Sequence, residues 1–196
     1  MKKILIALLS VILLFSAVGC NKTPTGNHDE PLVSDEHYEQ FPADIYLCDD
    51  VYRTDDTPTH GSGVIALPKT QDVLTVKGYE ILLCKDKCDP VSVVSRTSQG
   101  YAAAYQVVAD GEFEGNFRTL KFKMQIPEPM VEDLKKQGAY DRITEQLESN
   151  YYYLLVLDKT HYAYIHLVRT EGAEKTEQET ELANSIIKDA RVSFKP

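Results

Sequence analysis

The stretch Asn116–Ile126, NFRTLKFKMQI, sets the fold class of this chain. Leu120, Phe122, Met124 and Ile126 alternate with Thr119, Lys121, Lys123 and Gln125. Successive side chains of a strand point to opposite faces, so a period of two describes a strand with one buried and one wet face. Such strands belong to antiparallel sheets, since strands of parallel sheets are apolar on both sides.

Reading outward from this strand, Tyr101–Ala109 is its upstream neighbour, with Asp110-Gly111 as the turn signal. Further upstream, Tyr79–Cys84 and Val91–Ser95 flank Lys85-Asp86-Lys87 as the two arms of a hairpin, and Asp44–Cys48 and Gly63–Leu67 are short strand candidates. Downstream, Pro127-Glu128-Pro129 opens a helix, because proline is tolerated in a first turn. Met130, Val131 and Leu134 form its apolar face, Gly138 ends or interrupts it, and Tyr140, Ile143 and Leu147 continue at helical spacing. Tyr151–Leu157 and Tyr162–Thr170 form a second predicted hairpin around Asp158-Lys159-Thr160. Thr176 and Glu179 have capping-box spacing. Leu182, Ala183, Ile186 and Ile187 then give a helix with one apolar stripe, and Arg191–Phe194 reads as a short last strand.

Strands in runs with helices late imply an α+β fold: an antiparallel sheet with helices on one face, a C-terminal helix and a short last strand. This order over roughly residues 60–196 resembles the PsbP/Mog1-like fold, which also occurs in bacterial lipoproteins. No motif of that family can be matched residue by residue, so the resemblance carries no site residues over.

The other informative segment is MKKILIALLSVILLFSAVGC, residues 1–20. Lys2 and Lys3 form a positive n-region, Ile4 to Phe15 an apolar run, and small residues precede Cys20. The run is shorter than the roughly 20 apolar residues of a spanning helix. With its terminal cysteine the segment resembles the lipobox of bacterial lipoproteins. That resemblance implies a diacylglycerol on Cys20, cleavage before it, and an extracytoplasmic domain held at a membrane by its acyl chains, palmitate among them. Two or more acyl chains give stable attachment, whereas one binds marginally. The chain then divides into a signal peptide (1–19), a lipidated tether (20–40) and one α+β domain (41–196). Pro24, Gly26, Pro31 and the acids Asp29, Glu30, Asp35 and Glu36 mark the tether.

The formal net charge of −9 argues against nucleic acid as a partner, since phosphates demand Lys and Arg. It argues equally against lying on anionic lipid heads, so the acyl group must do the anchoring with the domain held away. The expected partners are the membrane, through Cys20, and an envelope protein or small ligand.

Cys48, Cys84 and Cys88 remain beyond Cys20, and export permits disulfides. Cys84 and Cys88, on either side of a three-residue loop, are the predicted pair. Metal binding and redox chemistry are the alternatives, but zinc needs a fourth ligand and the spacing is not C-x-x-C.

In the second hairpin, a three-residue turn sets Tyr152 opposite His166 and Leu154 opposite Tyr164. Tyr152, Tyr162, Tyr164 and His166 then share one face, and Leu155, Leu157, Ala163, Ile165 and Leu167 the other. The Tyr/His face is the candidate ligand surface, offering flat apolar area with polar tips. His166 on such a surface would titrate between about pH 5 and 8. The competing reading is packing beneath a helix, with Leu182 and Ile186 of the C-terminal helix as the cover.

No G-x-S-x-G, H-E-x-x-H, P-loop or EF-hand motif occurs. Nothing calls for a cofactor or a metal: His60-Gly61-Ser62-Gly63 reads as a turn, and the acids around Tyr52 and Arg53 as a solvated loop. The reading is therefore a lipid-anchored, non-catalytic binding or accessory module of the bacterial envelope. The alternatives are an envelope hydrolase with a dispersed site, or a structural lipoprotein working through protein contacts.

Overall fold

The computed structural model describes residues 43–48, 51–53, 58–59, 61–69, 72–84, 89–98 and 104–195. The strands are β1 (Ala43–Cys48), β2 (Val51–Arg53), β3 (Pro58–Thr59), β4 (Ser62–Pro68), β5 (Leu74–Leu83), β6 (Gln106–Glu114), β7 (Arg118–Gln125), β8 (Asn150–Val156), β9 (His161–Arg169) and β10 (Arg191–Lys195). The helices are α1 (Pro90–Thr97), α2 (Glu128–Lys136), α3 (Tyr140–Glu148) and α4 (Glu179–Lys188). The fold is α+β, with the C-terminal helix and short last strand expected from the order of elements.

The main sheet runs β3-β2-β5-β9-β8-β7-β6, and its five long strands, β5 to β6 in that order, are antiparallel neighbours. β2 joins the edge parallel to β5. A second, three-stranded sheet has the order β1-β4-β10. That second layer was not part of the sequence reading, and it explains why β8 is buried at six of its seven positions.

One face of the main sheet presents Leu82, Phe122, Met124, Tyr152, Leu154 and Tyr164 to Val93 and Val94 of α1, Leu134 of α2, and Ile143 and Leu147 of α3. The other face presents Ile81, Tyr151, Tyr153, Leu155, Ala163 and Ile165 to Ile65 and Leu67 of β4 and to Ala183, Ile186 and Ile187 of α4. Gly63 of β4 lies at this second interface. A Cβ there would overlap Ile81 Cδ1 and come within 2.9 Å of the Ser193 carbonyl oxygen, so glycine permits the close approach.

Three local expectations are corrected. Val91–Ser95 is not a strand but most of α1. The Asp89 carboxylate accepts from Val91 N and Ser92 N, and Pro90 occupies the first turn, so a side-chain cap and a pre-set φ start a helix where the valines imply a strand. Cys84 therefore follows the end of β5, and the element expected as the second hairpin arm is a helix. Asp110-Gly111 is not a turn but a β-bulge inside β6, where Gly111 has φ 142° and the pairing with β7 shifts register. The chain turns instead at 115–117, where Asn116 N donates to Lys188 O and its Nδ2 to Ala190 O, satisfying carbonyls at the end of α4. Finally, Thr176 and Glu179 form no capping box, since Gln178 occupies the cap position and the Glu179 side chain turns into the protein.

Candidate functional site

The β8–β9 hairpin has the register expected from its turn. Asp158 holds that turn, accepting from Thr160 N at 2.7 Å and His161 N at 2.8 Å. Partial burial opposes its ionisation, but these backbone donors, with the His161 and Thr160 side chains, outweigh that and bring the carboxyl down to about 2. With the turn fixed, Tyr152 pairs with His166 and Leu154 with Tyr164.

The structure thus brings Tyr152, Tyr164 and His166 together on one face, and all three are buried. Tyr162, near the hairpin turn, is half-buried. The expectation of an open ligand surface is corrected to a packed interior layer. The cover also differs from the one expected: α1, α2 and α3 lie over this face, while Leu182 and Ile186 of α4 pack against the opposite one. The reason is the number of apolar stripes. Val93/Val94, Leu134 and Ile143/Leu147 each need a partner surface, and this sheet face supplies it.

Within this layer the His166 and Tyr152 rings stack at 4.4 Å. Asn150 Nδ2 donates to Gln146 O at 2.6 Å, which leaves Asn150 Oδ1 to accept from His166 Nε2–H at 2.8 Å. This network assigns the amide orientation and the neutral Nε2–H tautomer. Burial first, and the charge of Lys77 second, push the His166 pKa down to about 3. The ring is a neutral internal donor and does not titrate between pH 5 and 8.

A second polar cluster escaped the sequence reading and sits on the opposite face. Glu179, only 2% exposed, accepts from Tyr151 Oη at 2.5 Å through Oε1 and from Arg169 Nε at 2.6 Å through Oε2. Arg169 is 11% exposed in its side chain, and its Nη2 meets no acceptor among the described residues. Burial first, then the hydrogen bond to Glu179, push the Tyr151 hydroxyl up to about 12. Glu179 begins α4, Tyr151 lies on β8 and Arg169 ends β9, so the cluster fixes the C-terminal helix to the centre of the sheet. No sequence signal separates this glutamate from an exposed first-turn acid.

Cys84 is disulfide-bonded, and Cys48 is a buried thiol outside any disulfide. Cys88, the expected partner of Cys84, lies outside the described residues, as do Cys20, the tether, His60 and the acids flanking Tyr52 and Arg53. Among the described residues no group of three or more His, Cys, Asp or Glu side chains is placed to hold a metal ion. Among them, too, no helix is long and apolar enough to cross a membrane. Comparison with protein-family models, curated proteins and solved structures returned no match.

Proposed function

We propose that this chain is a lipoprotein of a bacterial cell envelope, held at the membrane by an acylated Cys20, with the domain 41–196 acting as a non-catalytic binding or accessory module. The observation that carries the reading is residues 1–20: two lysines, an apolar run too short to span, small residues and a cysteine in that order. The interior chemistry is compatible with it. His166 donates to Asn150, and Glu179 accepts from Tyr151 and Arg169, so these polar groups serve the fold. Recognition on this reading belongs to the outer surface, toward an envelope protein or a small ligand. The disulfide of Cys84, which we assign to Cys88, suits an oxidising compartment.

The test is expression in a bacterial host with detergent-phase partitioning of the wild type and the Cys20→Ala variant. The wild type enters the detergent phase, and mass spectrometry of its N-terminal peptide shows a diacylglyceryl cysteine. The variant stays aqueous. Equal partitioning of the two, or an unmodified Cys20 peptide, rejects the anchor. Cross-linking from the intact, anchored protein then identifies the envelope component it touches.

A further inference from the structure

We draw no further inference here: the strongest candidate, the outer edge of β6 at the end of the main sheet, is guarded against strand addition by its own bulge at Gly111 and by Asp110, Glu112 and Glu114, and nothing among the described residues shows what covers it.

Discussion

Replacing Glu179 by alanine isolates the contribution of the buried Tyr151–Glu179–Arg169 cluster. The substitution leaves the Arg169 guanidinium 11% exposed without its carboxylate and strips the Tyr151 hydroxyl of its acceptor. Breaking a buried pair by removing one member costs about 3–5 kcal/mol, because the remaining charge stays desolvated. For a domain of this size 1 kcal/mol moves Tm by about 2–4 °C, so the expected fall is roughly 6–20 °C. Tyr151→Phe, which keeps the ion pair, should cost only about 1 kcal/mol. Urea denaturation with a double-mutant cycle is the assay: Glu179→Ala and Arg169→Met singly and together. Removing both charges should cost less than the sum of the single losses, since neither variant alone spares a buried orphan. A loss below about 1 kcal/mol for Glu179→Ala, or additivity within about 0.5 kcal/mol, would refute the argument.

Three further outcomes follow from the geometry. His166 is held neutral, with a folded pKa of about 3 against 6.5 unfolded, so its contribution is complete above pH 6.5 and is lost as pH falls toward 3. The urea-derived stability of the wild type should therefore drop by about 2 kcal/mol more than that of His166→Gln between pH 6.5 and 5; parallel profiles would show that the ring titrates normally. Gly63→Ala places a methyl against Ile81 and the Ser193 carbonyl oxygen, and should lower stability by about 1–3 kcal/mol in thermal melts, whereas a neutral result would mean the two sheets separate freely. Alkylation under denaturing, non-reducing conditions with peptide mapping should label Cys48 and recover Cys84 and Cys88 as one linked species, and finding Cys84 linked elsewhere would reject the pairing.

The long β elements were legible where alternation and turn chemistry agreed. The period of two over Asn116–Ile126 became β7, with Phe122 and Met124 buried and Lys121 and Lys123 paired to Asp110 across the bulge. The Asp158-Lys159-Thr160 turn placed Tyr152 opposite His166, because a hairpin loop of known length leaves one register. Signals that two structures share were misread. Val91, Val93 and Val94 suit a strand, yet Asp89-Pro90 caps a helix there. Asp110-Gly111 suits a turn, yet glycine at positive φ serves a bulge equally well.

What the sequence determined by itself was the period of each element and, in the β8–β9 hairpin, which side chains share a face. Both follow from interactions a few residues apart. Whether a face is open or covered was decided only in three dimensions. Tyr152, Tyr164 and His166 share a face by their spacing, but three helices with apolar stripes close it, and β4 with α4 closes the other. Glu179 likewise reads as a helix-start acid and becomes a buried partner of Tyr151 and Arg169, 28 and 10 residues away. Burial of a charge depends on which distant groups arrive to satisfy it, and periodicity along the chain does not encode that arrival.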